Sequence, residues 1–205
     1  ANELRCASNI LGLTSVEVGW YRDSGMPGTT DNQHPDALIN QPIEEVARRL
    51  ALHIRKTCPQ VVITHDEIGG YKHPDHIAVQ RATRLALHQA ADPQAILAEE
   101  LPAHQVEKLY YHTFPKGMLR FFVTALRVFG QDPHRFGRNK DIDLAALVEE
   151  GNYPIHLRIN TRLVVNAVKE ATACHASQLG GGPERIPNNE QRTTNNMLIP
   201  APVSV

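Results

Sequence analysis

Apolar positions along the chain switch between a helical and a strand period. Ile43, Val46, Ala47, Leu50 and Ile54 recur at the i, i+3, i+4, i+7, i+11 spacing of one helix face. Pro42 suits the first turn of that helix. After Pro59, Val61-Val62-Ile63 is an unbroken β-branched run, as expected of a strand buried on both faces of a parallel sheet. Ala78, Ala82, Leu85 and Ala86 set a second helical stripe, beginning near Pro74. Further on, the pattern predicts a strand over 106–112, a helix over 114–129 and an extended segment over 153–159. Val164, Ala167, Val168 and Ala171 mark one more helix, whose stripe His175 continues as an expected core histidine. Phe121, Phe122 and Phe129 are likewise expected in a core. Near the start, 2–11 reads as a helix stopped by Gly12, and Val16-Glu17-Val18-Gly19-Trp20 as a short strand.

Strands alternating with helices at these spacings predict an α/β fold, a Rossmann-like sandwich with a mostly parallel sheet. Two loops rich in polar and turn residues, 21–35 and 65–73, each follow a predicted strand directly. They therefore project to the carboxyl edge of the sheet, where ligands bind in such folds. Beyond Gln178 a stretch opening Gly180-Gly181-Gly182-Pro183 carries neither period. The domain expectation is a single α/β domain over 1–178 with a loosely attached tail over 179–205.

Composition narrows the function classes. A chain of 205 residues supports one sizeable core. Its net charge of −1, without a basic block, gives no case for nucleic-acid binding. No apolar run approaches the roughly 18 residues of a membrane span, and Ala1-Asn2-Glu3-Leu4-Arg5 does not resemble a signal peptide. Cys6, Cys58 and Cys174 are far apart and odd in number, which argues against a disulfide framework and fits a reducing, cytoplasmic compartment. Homo-oligomerisation is left open. The 11 histidines cluster with aspartates, and the chemistry is sought there.

The strongest cluster is His73-Pro74-Asp75-His76, preceded by Gly69-Gly70-Tyr71. Pro74 presets a first helical turn, which puts His73 near the N-cap and Asp75 and His76 inside that turn. The field at a helix start favours neutral imidazole, the form that ligates metal. It also favours Asp75, which can accept from a neighbouring imidazole. On spacing alone a second reading stands equally: His73 caps the helix and His76 merely packs on the loop.

Together with Pro59-Gln60-Val61-Val62-Ile63-Thr64-His65-Asp66, this run resembles the second motif of the PIG-L/LmbE-like deacetylases. That family includes zinc-dependent deacetylases of mycothiol and bacillithiol synthesis and the mycothiol S-conjugate amidase. Tyr21-Arg22-Asp23-Ser24-Gly25-Met26 resembles the family's sugar-binding loop, and Ala173-Cys174-His175-Ala176-Ser177-Gln178 a pattern in its late helix. The resemblance implies that His76 is a zinc ligand, with His73 as general acid or oxyanion stabiliser, oriented by Asp75. It implies that Tyr71 polarises the amide carbonyl and that Asp23 binds a sugar or inositol hydroxyl, with Arg22 beside it. Amide hydrolysis calls for these parts: an activated water, a donor aimed at the oxyanion, and an acid for the leaving amine.

The family's His-Pro-Asp-Asp motif, which follows the first strand and supplies two further zinc ligands and the general base, is not found before Tyr21, so the 1–178 domain is expected to lack its first strand and to be N-terminally incomplete. His34-Pro35-Asp36 follows the sugar-binding loop and is out of place for it. His65 and Asp66, at the end of the buried run, are the alternative ligands. The expected function is therefore a zinc-dependent hydrolase removing acetyl from an N-acetylglucosamine-type sugar conjugate. The alternatives are an amidase on a thiol conjugate of a glucosaminyl inositol and a catalytically dead sugar-binding fragment. A structural fragment completed by a partner chain is a third.

Overall fold

A computed structural model describes residues 2–19, 21–97, 99–137, 140–150 and 154–179. The chain divides into two compact units, Ala1–Gly19 with Ile159–Val205, and Trp20–Arg158.

The larger unit is α/β with parallel pairing, as expected. After the N-terminal helix α1 (Asn2–Leu11) of the smaller unit, two short 3-10 turns (Thr30–Gln33 and Leu38–Asn40) lead into α2 (Ile43–Thr57) and β1 (Val61–His65). A tight turn, α3 (Gly69–Lys72), leads into α4 (Pro74–Ala91), followed by β2 (Lys108–His112), α5 (Lys116–Val128) and α6 (Leu144–Glu149). Glu44 and Glu45 lie in the first turn of α2 and Arg55 and Lys56 in its last, complementing the helix dipole. Cys58 ends the helix in the left-handed region at φ 44°.

The main core lies between α2 and α4. Val46, Ala47, Ala51 and Ile54 face Ala82, Ala86 and Ala90, so alanines at every fourth position let the two helices approach closely. Val62 and Val106 close the cluster from the sheet side. A second core gathers Val123 and Leu126 of α5 with Leu144, Ala145 and Leu147 of α6, and Ile68 and Tyr71 pack against it.

β1 and β2 pair in register from Val61↔Lys108 to His65↔His112. Strand alternation turns Val62 and Thr64 toward the helices. The opposite face is open: Ile63 is 65% exposed and Val61 is exposed too. The β-branched run is thus covered on one face among the described residues, not on both. Residues 16–19 form no strand and Trp20 lies outside the described residues, while 154–159 run without ladder partners and Tyr153 also lies outside. Phe121, Phe122 and Phe129 are exposed, because α5 turns Val123 and Leu126 inward instead.

The smaller unit pairs α1 with α7 (Val165–Ala173), followed by α8 (Ala176–Leu179). Gly12 ends α1 at φ 69°, as expected. Cys6 and Cys174 form a disulfide with Cα atoms 5.8 Å apart, which overturns the expectation of three unpaired thiols; Cys58 is free and exposed. Spacing could not show this, since 168 positions separate the two cysteines and only the helix pairing joins them. Ser177 donates from its backbone N and its hydroxyl to the Glu3 carboxylate, at 2.9 and 2.7 Å. These bonds hold that carboxyl below its usual range. The core of this unit is small: Ala7, Ala171 and Cys174 are buried, with Cys6 and Ile10 against them. Val164 and Val168 of the predicted stripe are exposed, because only the Ala171 end of α7 meets α1. The tail from Gly180 lies outside the described residues.

Candidate active site

β1 ends at His65, and the loop after it is pinned by Asp66, which is 2% exposed. Asp66 accepts from Gly70 N at 2.8 Å through its carboxylate, and from Gly69 N at 3.0 Å through its carbonyl. Both glycines have positive φ, 65° and 70°. A Cβ on Gly69 would stand 2.8 Å from Ile77 Cγ1 and 3.0 Å from Ile77 N, so only glycine lets this turn lie against the start of α4. Asp66, a candidate ligand from sequence, is thus a buried organiser of the turn.

His73 is the N-cap of α4, with Pro74 at the first helical position, as the spacing predicts. Its Nδ1 accepts from Asp75 N at 3.3 Å, so the neutral ring carries its proton on Nε2. His76, one turn in, places Nδ1 3.1 Å from the Gly69 carbonyl. A carbonyl can only accept, so Nδ1 holds the proton and Nε2 keeps a free lone pair. Burial, then the neighbouring His65, pushes the His76 pKa down, and the bond to Gly69 only partly opposes this. The His65 pKa is likewise lowered, first by burial and next by His112.

The aromatic rings of the site are in contact. His65 and His76 stack with centroids 3.9 Å apart and planes 4° from parallel. Tyr71 meets His73 and His76 edge-on, at 5.8 and 5.2 Å, and His73 and His76 lie 4.8 Å apart. Burial, with the carboxylates of Asp23 and Asp141, raises the Tyr71 pKa, so its phenol stays a donor across the ordinary pH range.

The 21–35 loop reaches this cluster through a residue that sequence reasoning did not single out. Ser24 is fully buried, and its backbone N donates to Asp75 Oδ2 at 3.0 Å. Its hydroxyl accepts from Ile39 N, and its carbonyl accepts from the Asn32 amide. The small polar residue inside Asp23-Ser24-Gly25 was the available signal. Asp23 itself is exposed and accepts from Gly25 N at 2.7 Å. Arg22 is exposed and pairs with Asp31 of its own loop at 2.5 Å.

One ligand atom each from Asp23, His73 and Asp75 lies within 4.8 Å of the others, a grouping able to hold a metal ion. Asp75 Oδ1 is buried and without a hydrogen-bond partner among the described residues, as an acceptor left for a cation would be. His76, the expected ligand, is outside that triad and adjoins it through His73. The bond between Asp75 and the His73 ring comes from the Asp75 backbone N–H, while its carboxylate accepts from Ser24 N instead. His112 ends β2 exposed, edge-on to Phe114 at 5.3 Å. A separate open cavity of about 560 Å³, lined by Gln131, Asp132, Arg135, Phe136, Gly137 and Lys140, includes none of the predicted site residues. Among the described residues no helix is long and apolar enough to cross a membrane.

Residues 1–87 match the family model described as PIG-L: GlcNAc-PI de-N-acetylase. A 1D-myo-inositol 2-acetamido-2-deoxy-alpha-D-glucopyranoside deacetylase of Geodermatophilus obscurus is 39% identical over 145 residues, covering 69% of this chain and 49% of that protein. A protein of the same description from Acidothermus cellulolyticus is 36% identical over 182 residues, 87% of this chain and 58% of that protein. The chain spans about half the length of the curated relatives it matches. Among solved structures, the conserved protein TT1542 from Thermus thermophilus superposes with a TM-score of 0.52 at 20% identity, over 88% of this chain and 58% of that one, which speaks to the fold alone. By this family match and these relatives, the chain is similar to the PIG-L/LmbE-like deacetylases.

Proposed function

We propose that this chain carries the site of a zinc-dependent N-deacetylase acting on an N-acetylglucosamine-type sugar conjugate, with a glucosaminyl inositol as the first substrate to test. The observation that carries the reading is the Ser24 N to Asp75 Oδ2 hydrogen bond. It ties the sugar-side loop to the start of α4 and puts Asp23 beside His73 and Asp75.

In this reading His76 Nε2 and the free oxygen of Asp75 hold the metal, and imidazole and carboxylate donors suit zinc better than calcium or magnesium. Zinc bound there would supply Lewis acidity toward water and the acetamide carbonyl. Tyr71 offers its phenolic proton to the acyl oxygen as negative charge develops on it. His73 donates its Nε2–H as a hydrogen bond to the developing oxyanion, and a proton of the attacking water passes to the leaving nitrogen, so acetate and a free amine depart. Asp23 accepts from a sugar hydroxyl with the carboxylate oxygen not used by Gly25, and Arg22 flanks the entrance.

Residues 1–178 act as the deacetylase-like region and 179–205 as an appended tail. A cytoplasmic setting belongs to the same proposal, and the Cys6–Cys174 bridge weighs against it, since cytosolic thiols keep such pairs reduced. The test is release of free amine from N-acetylglucosaminyl inositol by the zinc-loaded chain, followed with an amine-reactive fluorophore. Turnover that falls by roughly a hundredfold in His73→Ala supports the reading. Sugar binding without acetate release, with and without zinc, would assign the chain to the sugar-binding alternative.

A further inference from the structure

The stacked imidazole of His65 has no role in the reaction as described, and its placement gives it one. His65 is the last residue of β1, paired across the sheet with His112, so its backbone is held at the strand's end. Its ring lies flat on His76, 3.9 Å between centroids and 4° from parallel. A ring stacked parallel at this distance opposes tilting of its neighbour out of the shared plane. The Gly69 carbonyl fixes one edge of His76, and the Tyr71 edge abuts the ring. A single hydrogen bond at 3.1 Å leaves the ring free to swing about that bond, and the stack removes this freedom.

We infer that His65 is a positioning residue: it holds the His76 imidazole in the plane and tautomer that leave Nε2 available as the ligand atom. The role rests on His76 being the ligand-bearing imidazole of the proposed reaction. A planar aromatic side chain at position 65 suffices for it, and the nitrogens of His65 are not required. This separates it from the alternative in which His65 is itself a ligand.

The test uses two variants of the full chain, His65→Phe, which keeps a stacking ring, and His65→Ala, which removes it. Long-range proton–nitrogen NMR of the metal-free protein at pH 8 reads which His76 nitrogen carries the proton. The expected result is a His76 ring protonated at Nδ1 in the wild type and in His65→Phe. In His65→Ala the Nδ1–H to Nε2–H ratio falls by about three- to tenfold. Zinc affinity, measured by chelator competition, weakens by the same factor in His65→Ala and recovers in His65→Phe. An unchanged tautomer ratio in a folded His65→Ala overturns the inference. So does a His65→Phe variant that loses zinc as His65→Ala does, since that makes His65 a ligand. If the wild type binds no zinc, the ligand reading of His76 fails by itself, and the tautomer ratio still decides whether His65 holds the ring.

Discussion

The helix that bears the motif is anchored at its far end by a buried cation, and removing that cation is a direct test of how α4 is held. Arg55, in the last turn of α2, is 6% exposed. Its Nε donates to Ala90 O and its Nη1 to Leu101 O, both at 3.0 Å. Nη2 donates to Gln89 O at 3.1 Å and also to Asp92 O. Three of these carbonyls close α4, the negative end of its dipole. In Arg55→Met the stem packing is kept and all four bonds are lost. Ala90 O retains the backbone N–H of His104 at 2.9 Å and Asp92 O that of Ala95 at 3.1 Å, so the loss falls hardest on Gln89 O and Leu101 O. Charge-assisted bonds contribute about 1.5–3 kcal/mol each, but the losses overlap because one side chain makes them all. A destabilisation of about 3–5 kcal/mol is expected. Arg55→Lys, with one compact ammonium, should fall between. Hydrogen exchange of the α2 and α4 amides measures this locally, alongside the urea midpoint, which should drop by roughly 1–3 M. An Arg55→Met protein within about 1 kcal/mol of wild type would refute the reasoning, and α4 would then owe its anchoring to the alanine interface alone.

Gly69→Ala combines a positive φ with a collision at the start of α4 and should cost roughly 2–4 kcal/mol in thermal melts. Gly28→Ala, at φ 85° with open space around it, should cost only about 1 kcal/mol, and equal losses would remove the steric argument. Reduction of the disulfide, or Cys6→Ser, should loosen α1 and α7, since neither short helix is stable alone. Closure across 168 positions contributes at most about 5 kcal/mol. Limited proteolysis within 2–19 and 159–179 should appear on reduction, and unchanged resistance would contradict this. His65 and His76 titrate below their unfolded value, so their contribution to stability is fully present above pH about 6.5 and lost as pH falls through the folded values. The unfolding free energy of the wild type should therefore fall more steeply between pH 7 and 5 than that of His65→Phe, and parallel slopes would show that the ring is not buried neutral.

Local chemistry alone determined a good deal of this protein. The periods of 43–54 and 74–86, Pro74 at a helix start and Gly12 at a helix end each state a backbone preference that no distant contact reverses. The order of the Asp23, Tyr71 and His73-to-His76 motifs was legible for the same reason, since each is a short run whose chemistry lies in its own residues. Tertiary structure decided everything that depends on two distant segments meeting. Ser24 became the bond between the 21–35 loop and Asp75, 51 positions away, and nothing in its neighbours marks that partner. Cys6 found Cys174 through a helix pairing of distant segments. The open face of β1 and the outward phenylalanines of α5 were unreadable because a hydrophobic pattern states which side chains favour burial, while burial itself depends on what packs opposite. His65 shows the division most plainly: its place at a strand end is local, but its role comes from the His76 ring, eleven positions later, that the glycine turn lays upon it.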